Sequence, residues 1–155
     1  MKKKGWLKYT IYTVLIIILV LSKEYVATQL KADFNETFRI NLYFLTIAMF
    51  INVGIGLILG LEHLISEVKK DGTWKINLPK ITIMGLPSLY FSLTYFLGFS
   101  NNQFLQKVFL VDPILSTLIK YGTNFILIFQ LIFGYVVITS FYKHSGKSED
   151  SHSIS

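Results

Sequence analysis

Apolar residues along this chain fall into four runs separated by polar, lysine-bearing stretches. The longest run is the most informative. Residues 40–61, INLYFLTIAMFINVGIGLILGL, hold no charged side chain over twenty-two positions. A hydrocarbon core about 30 Å thick is crossed by about 20 apolar helical residues, so the run predicts one membrane span, bounded by Arg39 and Glu62. On a helical wheel Asn41, Ala48 and Asn52 lie within about 40° of one another, and Gly56 and Gly60 continue that ridge at i+4 steps. Lipid tails give helices no hydrophobic reason to associate, so close backbone approach at glycine and amide hydrogen bonds supply the attraction. The ridge therefore reads as a helix-packing face, with a solute or ion path lined by Asn52 as the sharper alternative.

The pattern extends past the run at both ends. Asp33 and Glu36 have capping-box spacing, and Leu61, Leu64, Ile65 and Val68 recur at i, i+3, i+4 and i+7 before Asp71 and Gly72. Together they predict a helix over about 34–70, ~55 Å long.

Three other spans are expected. Lys2, Lys3, Lys4 and Lys8 lead into the apolar run 9–21, and Ser22, Lys23, Glu24 and Tyr25 offer no small-x-small cleavage pattern, so an uncleaved first helix over about 6–22 is expected. Residues 23–39 then form an outside loop, partly helical. A third span covers about 81–99, with a kink at Gly85 and Pro87, because proline lacks an N–H and crowds the carbonyl of Ile83. Thr82, Gly85, Ser88 and Ser92 share a third of its circumference. A fourth span covers about 121–141, where Thr123, Gln130 and Gly134 share a face and Asn124 sits about 100° from Thr123. Asn52 to Gly56 and Gln130 to Gly134 repeat one amide-to-glycine spacing.

The connections carry their own signals. Residues 69–80 hold four lysines, Trp74 and Pro79, and predict an extended interfacial segment anchored by Trp74. Residues 103–119 are apolar but broken by Lys107, Asp112 and Pro113; an interfacial or re-entrant segment, or a lid, fits them, with Asp112 capping a helix that Pro113 opens. Residues 144–155 are Ser-rich and polar, the composition of a disordered tail after a single transmembrane domain over 1–143.

Composition agrees with the bilayer. With 52% hydrophobic and 15% charged residues, 155 residues have too few polar groups to cover a soluble globule. The net charge of +6 comes from lysines flanking apolar runs, the pattern of membrane topology and not of a nucleic-acid surface. Ten of the fifteen Lys and Arg fall at the N-terminus, in 69–80 and in the tail, so both termini are expected in the cytoplasm. One arginine against fourteen lysines matches the bias of AT-rich bacterial genomes, which suggests a bacterial plasma membrane.

Candidate chemistry is sparse. The apolar runs hold no charged residue, which argues against a proton-coupled pump, a voltage sensor or a zinc or aspartyl intramembrane protease. Cysteine is absent, no HExxH, GxSxG or phosphate-binding glycine loop occurs, and no metal or cofactor is implied. His63 and Glu67, four apart at the end of the second helix, are the nearest approach to an acid/base or ligand pair, with an interfacial pair as the plainer reading. The expectation is therefore an all-α integral membrane protein, a four-helix transmembrane bundle with both termini cytoplasmic. Its expected role is non-enzymatic, an accessory, regulatory or immunity-type subunit acting through helix contacts with another membrane protein or with itself. An oligomeric permease or channel lined by Asn41, Asn52, Ser88, Ser92, Asn124 and Gln130 is the alternative, and a lipid-processing enzyme comes third.

Overall fold

A computed structural model describes residues 3–98, 103–104, 107 and 123–144 of the chain. Most of the sequence-predicted segment 103–119, including Asp112 and Pro113, lies outside the described residues, as do 121–122 and the tail from 145. The described chain is mostly helical. Helix α1 spans Lys3–Thr37 and α2 spans Leu42–Val68. Strand β1 (Thr73–Ile76), a short helix α3 (Leu78–Lys80), a π-helical segment (Ile81–Gly85), α4 (Leu86–Ser92) and α5 (Thr94–Gly98) follow. Helix α6 (Thr123–Thr139) leads into strand β2 (Phe141–His144).

Two of these helices are long and apolar enough to cross a membrane, over Trp6–Thr37 and Leu42–Val68. In the most apolar stretch of the first, only 6% of residues are buried inside the protein, far below what the core helix of a soluble protein would show. Helix α6 is shorter and equally apolar.

Three sequence expectations change. Residues 23–37 are not a loop: α1 runs unbroken to Thr37, because nothing before Phe38 stops a helix already propagating. The break comes at Phe38, which adopts φ 52 while its N–H still bonds the Phe34 carbonyl at 2.8 Å. The second helix consequently begins at Leu42 rather than near 34, and the Asp33 and Glu36 spacing caps nothing. Asn41, expected on the packing ridge, is instead the N-cap of α2, its side chain accepting from the Tyr43 N–H at 3.0 Å. At the other end α2 does outrun the uncharged stretch, to Val68, and Gly72 takes a turn with φ 138 that only glycine adopts freely.

The third helix is broken where proline was expected to kink it, and the form of the break is a wide turn. The π-helical segment ends just before Pro87, with the Leu86 N–H reaching back five residues to the Ile81 carbonyl. A second break at Leu93 separates α4 from α5.

Helix α2 stands at the centre, with α1 on one side and α6 on the other, and α4 packs on α6. Helices α1 and α2 form an antiparallel hairpin: Lys8, near the start of α1, bonds Glu62, near the end of α2, and Leu19 lies against Gly54. Strands β1 and β2 pair antiparallel, with Trp74 opposite Lys143 and Ile76 opposite Phe141. One end of the molecule thus gathers the start of α1, residues 69–80 and the end of α6, and the fourth apolar run yields a strand from Phe141 where helix was expected.

The contact between α2 and α6 is set by glycine. A Cβ on Gly56 would overlap the Leu131 carbonyl oxygen and stand 2.9 Å from the Tyr135 nitrogen; one on Gly134 would overlap the Val53 carbonyl and stand 3.1 Å from the Leu57 nitrogen. Each glycine sits on the other helix's backbone. Gly60 meets Ile138 and Thr139 one turn on. Gly54, on the α1 side, has 3.7 Å to Leu19, ordinary contact. Gly56→Ala and Gly134→Ala should each destabilise the protein by about 1–3 kcal/mol, because backbone cannot yield as a side chain can. Gly54→Ala should be near neutral in the same thermal-unfolding measurement in detergent.

Candidate functional site

Two clusters of polar side chains organise the described chain. The first lies midway along α2 and α6. Asn52 is buried, and its Nδ2 donates to Gln130 Oε1 at 2.9 Å and to the Ala48 carbonyl at 2.9 Å. Gln130, also buried, donates from Nε2 to the Ser92 carbonyl at 3.4 Å, joining α2, α6 and the end of α4. That carbonyl is open because the helix breaks at Leu93, leaving it outside the regular ladder. Buried Ser88 donates to the Met84 carbonyl at 2.6 Å, and buried Ser92 donates to Leu89 at 2.9 Å. Phe91 stacks on Phe129 beside them, ring centroids 4.6 Å apart.

Of the residues singled out in the sequence, Asn52, Gly56, Gly60, Gln130 and Gly134 are brought together on the facing sides of α2 and α6. Ser88 and Ser92 join from α4. Gly85 is buried at the end of the π-helical segment, where a Cβ would stand 3.6 Å from Val136, so it leaves room for a methyl. Asn124 falls in α6 six residues before Gln130. Asn41 stands apart, at the start of α2.

The second cluster closes the lysine-rich end. Glu67 is buried, with 4% of its surface exposed, although it lies six residues past the uncharged run. One carboxylate oxygen accepts from the Lys70 ammonium and the other from the backbone N–H of Lys143 at 3.0 Å. That N–H belongs to the outer edge of β2, since the bonded pair Asn77–Ser140 sets the alternation that turns the Lys143 N–H away from β1, and an unpaired edge N–H is costly once covered. Lys143 returns the contact: its Nζ donates to the carbonyls of Val68 at 3.0 Å and Lys70 at 2.7 Å, where the end of α2 leaves carbonyls open, and lies 5.4 Å from the Trp74 ring centroid. Lys80 donates to Thr139 Oγ1 at 2.7 Å and lies 5.7 Å from the Tyr135 ring centroid. The Asn77 N–H bonds the Ser140 carbonyl at 2.9 Å, extending the strand pairing.

Glu67 is thus tied to Lys70 and to the strand edge, not to His63. His63 Nε2 is buried with no hydrogen-bond partner. Among the described residues no group of three His, Asp or Glu is placed to hold a metal ion. On the α1 side Glu62 accepts from Lys8 Nζ at 3.1 Å and from the Tyr9 hydroxyl at 3.0 Å. The Lys8 ammonium, then the Tyr9 hydroxyl, hold the Glu62 carboxyl below the usual carboxylate range. Sequence reasoning missed the role of Lys143; its distance from the α2 terminus in the chain gave no local signal.

No protein-family model, curated protein or solved structure matches the chain. Its chemistry rests on the clusters themselves.

The Glu67 carboxyl is held below its usual value of 4.5, first by the Lys70 ammonium and then by the Lys143 N–H. A folded-state value below the unfolded one stabilises the clamp above the unfolded pKa, and the contribution disappears as pH falls through the folded pKa. The Lys143 amide should therefore be protected from hydrogen exchange at pH 7 and lose that protection only when the pH falls below the usual carboxylate range. Glu67→Ala, which leaves the Lys143 N–H no side-chain acceptor, should exchange fast at pH 7 and at the lower pH alike. A second measurement addresses the first cluster: a double-mutant cycle with Asn52→Ala and Gln130→Ala should give a coupling of about 0.6 kcal/mol, the average for hydrogen bonds between membrane helices.

Proposed function

We propose that the chain is a non-enzymatic multi-pass protein of a cell membrane, bacterial and cytoplasmic, that acts through helix contacts as an accessory, regulatory or immunity-type subunit of another membrane protein. Four crossings are proposed, with both termini in the cytoplasm: three over about 40–61, 81–99 and 121–141, and a first that begins near Trp6 and, because α1 runs unbroken beside α2, continues past residue 22 to the level of Ile40. Supporting that orientation, the start of α1, residues 69–80 and the end of α6 meet at one end of the molecule, through Lys8 and Glu62 and through the paired strands. Nine of the fifteen basic residues lie at the start of the chain, in 69–80 or in the strand that follows α6, where a cytoplasmic face would collect them.

The observation that carries the functional reading is the hydrogen bond between Asn52 and Gln130. It turns the two central amides of the polar stripe onto each other, while Ser88 and Ser92 donate to carbonyls of their own helix. Side chains so engaged offer no row of open donors and acceptors to a passing solute, as a permease path needs. The groove lined by Trp6, Tyr9, Thr10, Thr13 and Val14 lies on α1, away from that stripe. A tightly closed centre with a broad unpacked α1 surface fits a protein read from outside.

Affinity purification of the tagged chain from its native membrane in mild detergent should recover a second membrane protein in fixed stoichiometry. Recovery of this chain alone as a defined oligomer, with solute flux in liposomes above that of empty vesicles, would replace the subunit reading with a permease.

A further inference from the structure

The α1–α2 hairpin register places a charged residue of α1 beside the uncharged run of α2. Two contacts fix it: Lys8 with Glu62, and Leu19 with Gly54. Antiparallel helices rise equally per residue, so Glu24, sixteen positions beyond Lys8, comes level with Thr46; counted five positions beyond Leu19, it comes level with Met49. Either way it sits about 9–13 Å inside the end of the run at Ile40. Lys31, counted the same way, reaches the boundary of the run. Lys23 is half-buried, and its flexible stem carries the ammonium several ångströms toward the boundary.

Glu24 has neither escape. Its side chain is exposed, turned about 150° round α1 from Lys8, Leu19 and Val26, which face α2. It makes no ion pair or side-chain hydrogen bond among the described residues; only its backbone carbonyl is used, by Thr28 at 2.9 Å. A carboxylate at that depth is costly unless a cation meets it, and such residues pair with one another or line a site.

We propose that the face of α1 bearing Glu24 and Thr28 docks a transmembrane helix of a different protein, which presents a lysine or arginine to Glu24 within the membrane. The proposal rests on the membrane-subunit reading above and names its contact.

A photo-crosslinking residue at the position of Thr28, in native membranes, should give one discrete protein adduct. Glu24→Gln should weaken that adduct at least tenfold and Glu24→Asp should keep it within twofold. The chain has no cysteine, so Glu24→Cys alone reports depth, and it should resist membrane-impermeant maleimide from both sides. An adduct indifferent to Glu24→Gln, adducts with lipid only, an adduct with a second copy, or ready maleimide labelling each overturns the proposal. If a partner still co-purifies in those cases, the docking face alone is wrong. If the unmodified chain brings down no partner, the subunit reading has failed and this contact with it.

Discussion

The backbone contact between α2 and α6 is the constraint on which the rest of the structure depends. Gly56 and Gly134 each lie against the main chain of the opposite helix, and Gly60 extends the approach by a turn. Helices brought this near place Asn52 and Gln130 within bonding distance, and the amide pair in turn fixes rotation about both axes. Lipid gives helices no hydrophobic reason to associate, so in a bilayer backbone proximity and one buried hydrogen bond would do together what a large apolar core does in water. The third element is recruited by the same pair: Gln130 reaches a carbonyl that the break at Leu93 leaves open.

The lysine-rich end is held by a different device, an exchange between a helix terminus and a strand edge. Helix α2 ends with open carbonyls and β2 with an open N–H, two orphans of opposite kind. Glu67 serves the strand and Lys143 serves the helix, so each residue satisfies the element to which it does not belong. A two-stranded ribbon is marginal in isolation, and this reciprocity explains why it persists here. It also ties the strand that follows α6 to the last turn of α2, so the two helices are pinned at the centre and at one end.

The chain's own pattern announced these features unequally. The uncharged run, the glycines at 56, 60 and 134 and the amides at 52 and 130 were legible because each is a local departure from an apolar background, and helical periodicity puts them on faces. The break near Pro87 was legible for the same reason, though not its π-helical form, in which the Leu86 N–H reaches the Ile81 carbonyl. What lay beyond reach was whatever a distant partner decides. Asn41 looks identical on a wheel whether it lies inside a helix or caps one, and only the turn at Phe38 settles it. The strand pairing joins residues nearly seventy positions apart, and Lys143 in a polar stretch looks like any solvated lysine.

The unequal packing of the helices has a consequence for how such a protein can be read by others. Helices α2, α4 and α6 spend their small and polar residues on one another, which leaves them little to distinguish their outer surfaces from lipid. Helix α1 is held along one stripe only, chiefly by α2, and keeps its remaining circumference open from Trp6 to Thr37. Its polar residues on that open side are therefore not consumed by the fold. In a bilayer, where apolar surface alone is featureless, a partner can recognise only shape or polarity, and the open face of α1 is where the described chain still presents polarity. The contacts of α2, α4 and α6 with one another then form the mount that holds α1, and under the subunit reading recognition falls to the helix with the most open surface.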